Sequence, residues 1–254
     1  LACGSFYALG AYFGITFVAY MTKYGMPPWL LLPALVFSGL LIGLIGPFIE
    51  RLLRFVYDRD ESFQLLLTFA ILLMFQDVLR FLWGANPLQV NVDYLVYGKL
   101  SAGDFSVPIY NIMVIVAAIL IAVGLGLFLQ KTNYGRVLRA TAENRAMAEG
   151  LGVNVRSIYA VVFTIGTMLG TVAGALVIPT AAAALEIPAE FVVEAFAVVV
   201  IGGLGSMPGA LAGALVVGLI HALSIVIYPE LELLVTYLIV IGVLLFRPAG
   251  LFGK

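Results

Sequence analysis

The chain has 254 residues, 63% of them hydrophobic and only 11% charged, with a mean hydropathy of +1.13. Thirteen Lys/Arg and fourteen Asp/Glu cannot coat a soluble protein of this size, where about a quarter of residues are charged, and the same numbers exclude disorder. A net charge of −1 leaves no basic footprint for nucleic acid, and the single Cys3, expected as a small buried side chain, excludes a disulfide framework or a multi-cysteine metal site.

A helix that crosses a bilayer needs roughly 20 mostly apolar residues. Apolar segments fall at 6–22, 28–49, 63–83, 107–130, 157–178, 191–201, 208–228 and 231–246. They are continuous runs and not alternating ten-residue strands, so helices are expected and not a barrel. The reading is an all-α, polytopic transmembrane helical bundle of about eight membrane segments, one of them Gly-broken. That one is the sixth: 194–201 is short, and Gly202-Gly203-Leu204-Gly205-Ser206-Met207-Pro208-Gly209 follows at once. It either spans as a broken helix or turns back, and charge favours spanning.

Lys and Arg in the loops set orientation. If the loop at 50–62 is cytoplasmic, with Arg51, Arg54 and Arg59, alternation makes 131–156 cytoplasmic too. That loop adds Lys131, Arg136, Arg139, Arg145 and Arg156, and the tail adds Arg247 and Lys254, so ten of thirteen cations share one side. The opposite loops hold Lys23 and Lys99 among the acidic Asp93, Asp104, Glu186, Glu190, Glu230 and Glu232.

Small residues at four-residue spacing let helices approach closely in lipid. Gly10/Gly14, Gly39/Gly43, Gly166/Gly170/Gly174 and Gly209/Gly213 fit that pattern. Polar residues in the spans are few. Gln76, Asp77 and Arg80 cluster on the third segment, where Asp77 and Arg80 are spaced to pair on one face or to belong to a solute path. His221 stands in an apolar run with no carboxylate within one turn in sequence, which reads as a core or interface histidine. Glu194 reads as an interface residue near the outer end of its segment. No catalytic constellation and no metal site are expected, and no phosphate-cradling loop is present: Gly98-Lys99 is followed by Leu100. ATP-driven transport would need a partner that hydrolyses the nucleotide.

The most specific feature is the loop at 131–156, and within it the run from Gly135 to Val153. Its middle is rich in good helix formers, with Arg139/Glu143 and Arg145/Glu149 at i,i+4 spacing and a small apolar face of Ala140, Met147 and Leu151. Gly150 and Gly152 end it. The expectation is one short amphipathic helix between two spans, fit to enter a groove on another protein or to lie on the lipid surface.

These residues carry a resemblance. The sequence resembles the Liv-type permease subunit of the high-affinity branched-chain amino acid ABC transporters, over essentially the whole chain. Gly135, Arg139, Ala140, Ala148 and Gly152 are similar to the family's EAA-type coupling motif. Ala195-Phe196-Ala197 with Gly202 to Ala210, Arg247-Pro248-Ala249-Gly250-Leu251-Phe252-Gly253, and Ala2 to Tyr12 match further signatures. Cys3 stands where the family often has His, and Glu194 where Lys is common. The family has an apolar helix before the Gly4 motif, so a preceding helix missing from this sequence is expected.

The resemblance implies one transmembrane permease domain over 1–254 in a bacterial or archaeal cell (inner) membrane. It implies two cytoplasmic ATPase subunits that carry ATP and Mg, a second homologous permease subunit and an extracytoplasmic binding protein, with no cofactor on this chain and no enzymatic activity of its own. The coupling element would comprise Arg136, Arg139, Ala140, Glu143, Asn144, Met147, Leu151 and Gly152. Gln76, Asp77, Gly202, Gly203, Gly205 and Ser206 are the expected path residues. Related permeases carry urea or short amides, and an ion- or proton-coupled secondary transporter is the main rival reading, with an intramembrane enzyme and a scaffold behind it.

Overall fold

The computed structural model describes residues 2–25, 27–54, 61–90, 97–102, 105–203, 205–227, 232–246 and 250. Arg59, Asp93, Asp104, Leu204, Glu230, Arg247, Lys254 and the C-terminal motif apart from Gly250 lie outside the described residues. Contacts divide the chain into two compact units, Leu1–Pro188 and Ala189–Lys254.

In the first unit, α1 (Ala2–Lys23) is followed by a 3-10 turn at Pro28–Leu30, α2 (Leu31–Gly43), α3 (Gly46–Leu53) and α4 (Glu61–Trp83). The second apolar segment is therefore not one rod. Pro47 has no N–H to give the carbonyl four residues back, and the chain turns at Leu44–Ile45 before α3 begins. A small antiparallel hairpin, β1 (Lys99–Ala102) with β2 (Phe105–Pro108), leads into α5 (Ile109–Lys131). Then come α6 (Asn133–Glu143), α7 (Arg145–Gly150) and α8 (Val155–Val177).

Helix α8 is the hub, packed against α1, α2 and α3. The approach is closest where glycines meet. A Cβ on Gly174 would collide with the Tyr7 carbonyl, one on Gly10 with the Thr171 carbonyl, and one on Gly39 would stand 2.6 Å from the Val172 Cα. Gly166, in contrast, faces open space. Backbones this close leave carbonyls within reach of short hydroxyls: Thr171 Oγ1 donates to the Gly39 carbonyl at 2.7 Å. The longer Tyr110 side chain of α5 donates its hydroxyl to the Leu176 carbonyl at 2.6 Å. Rings knit α1 to α4, with Phe6 against Phe75 at 5.9 Å and Tyr12 against Trp83 at 5.6 Å between centroids. Cys3, expected buried, is exposed.

The second unit holds most of α9 (Ile187–Gly202), then α10 (Met207–Ile227) and α11 (Glu232–Phe246), around a small core of Ala197, Ile201 and Val217. Among the described residues six helical stretches are long and apolar enough to cross a membrane: Ala2–Lys23, Pro28–Leu53 (the 3-10 turn, α2 and α3 taken together), Ser62–Trp83, Ile109–Lys131, Val155–Val177 and Met207–Ile227. The sixth and eighth sequence segments correspond to α9 and α11, which are helical but only 16 and 15 residues long.

Candidate coupling element and intramembrane polar site

The loop at 131–156 folds as two helices and not one. Thr132 caps α6, its hydroxyl accepting from the Gly135 N–H at 3.0 Å. Asn144 leaves helical geometry (φ −150°, ψ 97°), ends α6 and caps α7, its side-chain oxygen accepting from the Met147 N–H at 3.0 Å. The expectation of a single helix missed this break because Asn144 sits in a run of helix formers. An Asn side chain that satisfies a helix N-terminus competes with continuing the helix. The end of α7 follows the sequence expectation: Gly152 adopts φ +83°, Gly152 N–H donates to the Glu149 carbonyl and Val153 N–H to the Ala148 carbonyl, closing a Schellman motif.

Gly135, Thr141 and Ala148 are buried, while Arg136, Arg139, Ala140, Glu143, Asn144, Met147, Leu151 and Gly152 are all exposed. Met147 and Leu151 are 66% and 80% exposed, so the small apolar face points away from this chain's own core. Of the two expected ion pairs, Arg145–Glu149 forms at 3.0 Å, and Arg139–Glu143 does not. Arg145 also lies 5.9 Å from the centroid of the Tyr159 ring on α8. A shallow open cleft beside it is lined by Gln64, Arg145, Tyr159, Val162 and Phe163.

The expected path residues divide between the units. In the first, Gln76 donates its amide to the Leu185 carbonyl at 3.0 Å, which ties α4 to the segment before α9. Asp77 and Arg80 are exposed on α4 and make no ion pair with each other, contrary to the spacing argument. A three-residue separation permits a pair but does not impose one.

In the second unit, Gly202 and Gly203 are buried, and α9 and α10 meet through them. A Cβ on Gly209 would overlap the Gly202 carbonyl, and one on Gly213 would stand 2.5 Å from the Val198 carbonyl. Gly203 (φ +92°) and Gly205 (φ +80°) supply the left-handed backbone of the turn, and Ser206 Oγ accepts from the Gly209 N–H at 3.1 Å to start α10. Gly250 packs on the same turn, its Cβ position 2.5 Å from the Gly203 Cα. The sequence alone separated these two motifs by more than forty residues.

The hairpin register brings together two residues that sequence reasoning kept apart. Gly202 faces Gly209 and Val198 faces Gly213, so Val217 comes level with Glu194 and His221 follows one turn later. Side chains tilt toward the N-terminus of their own helix, so Glu194 and His221 lean toward each other. His221 Nε2 stands 3.5 Å from Glu194 Oε1, with the two side chains 29% and 43% exposed. Glu194 lies midway along α9 and not near an end. No carboxylate neighbours His221 in sequence, yet α9 supplies one; the matching Gly spacings at 202, 209 and 213 were the available signal.

Six helices long and apolar enough to cross a membrane among the described residues define the class, a multi-pass membrane protein. The sequence model of the family described as "Branched-chain amino acid transport system / permease component" matches residues 1–244, and the chain belongs to this family. It is 27% identical over 262 residues to the high-affinity branched-chain amino acid transport permease protein BraD of Pseudomonas aeruginosa, covering 100% of this chain and 85% of the relative. LivH of Escherichia coli K12 is 29% identical over 264 residues with the same coverage. The probable LivH of Methanocaldococcus jannaschii is 26% identical over 276 residues, covering 99% and 82%. No solved structure matches the chain. Membership does not favour the short-amide or ion-coupled alternatives.

Proposed function

We propose that this chain is a translocating subunit of an ATP-driven importer of branched-chain amino acids. A binding protein loads the outer mouth, this chain and a second homologous permease enclose the path, and two cytoplasmic ATPase subunits bind Mg and ATP. The observation that carries this reading is the α6–α7 pair. It is capped at each start, anchored by buried Gly135, Thr141 and Ala148, and turns Met147 and Leu151 outward. An outward apolar face on a short, well-capped helix suits a groove on a partner protein. Arg145 joins α7 to the Tyr159 ring, so a displacement of α7 reaches α8, the hub of the first unit. Rigid-body rocking of the spans is the mechanical response such a lever supports.

The test is a pull-down from solubilised membranes of the native chain and of Ala140→Glu/Met147→Glu. Recovery of a P-loop ATPase with the native chain, lost in the double variant, supports the reading; no ATPase with either overturns it. The Gly-rich turn is checked separately. Val at Gly203 or Gly205 must adopt the left-handed backbone that β-branched residues avoid. Uptake is expected to be lost while the ATPase still co-purifies; normal uptake rules the turn out of the path.

A further inference from the structure

We propose that α1 and α4 part during transport and bring the hydroxyl of Tyr12 into the solute path; this rests on the import reading above. Tyr12 Oη and Ser5 Oγ are fully buried and have no hydrogen-bond partner among the described residues. Other buried hydroxyls of the first unit are satisfied. Tyr110 donates to the Leu176 carbonyl, and Ser38 Oγ donates back to the Leu35 carbonyl at 2.8 Å. The polar groups beside Tyr12 are engaged with one another. Trp83 Nε1 donates to Thr16 Oγ1 at 2.7 Å, and Thr16 Oγ1 donates to the Tyr12 carbonyl at 3.0 Å. A buried hydroxyl without a partner carries the cost of its desolvation, and phenylalanine would fill the same space without that cost. A second conformation that gives the hydroxyl a partner explains why the phenol stands there.

The packing locates the movement. Gly10 and Gly174 bring α1 onto the α8 backbone, and Gly39 and Gly43 do the same for α2, so these three helices form one body. α4 has no glycine and meets α1 through side chains: Phe6 on Phe75, Tyr12 on Trp83, and the Trp83–Thr16 bond. In lipid the close small-residue contacts are the ones that hold helices together, and a seam filled by rings is where two rigid bodies can shear. Ser5 and Tyr12 stand seven residues apart, about 20° short of two whole turns, so both lie on one stripe of α1. The ring of Tyr12 on Trp83 places its end of that stripe against α4. A phenol hydroxyl donates to a carboxylate and accepts from an ammonium, and the polar end of an amino acid presents both.

The experiment uses the complete transporter with its ATPase, second permease and binding protein in lipid nanodiscs. Ser5→Cys in a Cys3→Ser background puts a thiol on the stripe at almost unchanged size. A charged thiosulfonate that cannot enter lipid labels this thiol only where water reaches it. Peptide mass spectrometry follows the rate without nucleotide and with ATP and vanadate. A seam that opens should change the rate about tenfold or more between the two states. Equal rates in both states, fast or slow, overturn the proposal. Tyr12→Phe keeps the ring against Trp83 and removes only the hydroxyl. It should raise the midpoint of thermal unfolding by a few degrees, yet lower uptake at saturating loaded binding protein about threefold or more. The binding-protein concentration that half-maximally stimulates ATPase should not change. Native uptake overturns the proposal, and so does a lowered midpoint, which would mean that the hydroxyl is bonded in the conformation described. A native complex that imports leucine, with any of these overturning outcomes, sinks the seam and leaves the import reading standing; a native complex that imports no amino acid sinks the import reading itself.

Discussion

Helices α5 and α8 are both 23 residues long and both spanning, yet they are built for opposite surroundings. α5 is the more apolar of the two, and its one buried residue is Tyr110. α8 carries Thr164, Thr167, Thr171, Gly166, Gly170 and Gly174 and buries a run of positions against three neighbours. In water the more apolar helix would be the core. In lipid there is no hydrophobic drive between helices, so burial follows small residues that allow close approach and hydroxyls that bond across it. Glycine alone does not decide the matter: Gly124 on α5 and Gly166 on α8 face open space, while Gly174 lies on the Tyr7 carbonyl.

The contrast breaks most sharply at Gly174. Leucine there has no room beside backbone, and overpacking costs about 1–3 kcal/mol or more where the neighbour cannot yield. We expect Gly174→Leu to give no monodisperse protein by fluorescence-detected size exclusion, while Gly166→Leu runs as the native chain. Equal behaviour of the two would mean that α1 and α8 are not packed as described. Thr171→Val comes next. It keeps the shape and removes the bond to the Gly39 carbonyl, worth about 0.6–2 kcal/mol for interhelical bonds in membranes. A fall of a few degrees in thermal unfolding is expected, smaller than for Gly174→Leu.

How much of this was legible beforehand follows the same physics. The spans were readable because hydropathy reports the solvent, and lipid is the solvent. The glycine pairs at 10/14 and 39/43 were readable because close approach leaves no alternative residue. The interruption between α2 and α3 was missed although Pro47 was in view, since a long apolar run conceals a missing N–H. The helical character of the loop at 131–156 was legible, but its division at Asn144 was not, because capping competes locally with helix propensity. The Asp77–Arg80 pair was inferred from spacing and does not form. Glu194–His221 was invisible to any argument confined to one helix and follows only from the register that Gly202, Gly209 and Gly213 impose.

The smallest effect is also the one that sharpens the comparison most. Leu120 lies on α5 and is 66% exposed, so nothing in this chain covers it, and acyl chains are its expected neighbours. Leu120→Phe swaps one lipid-compatible side chain for another, and stability should stay within about 0.5 kcal/mol of native, the range of surface changes away from special features. Thermal unfolding in the same lipid, run beside Thr171→Val, measures this directly. If Leu120→Phe destabilises as much as Thr171→Val, the outer face of α5 is covered by protein in the native assembly. Its high apolarity would then mark an interface between subunits and not the lipid boundary.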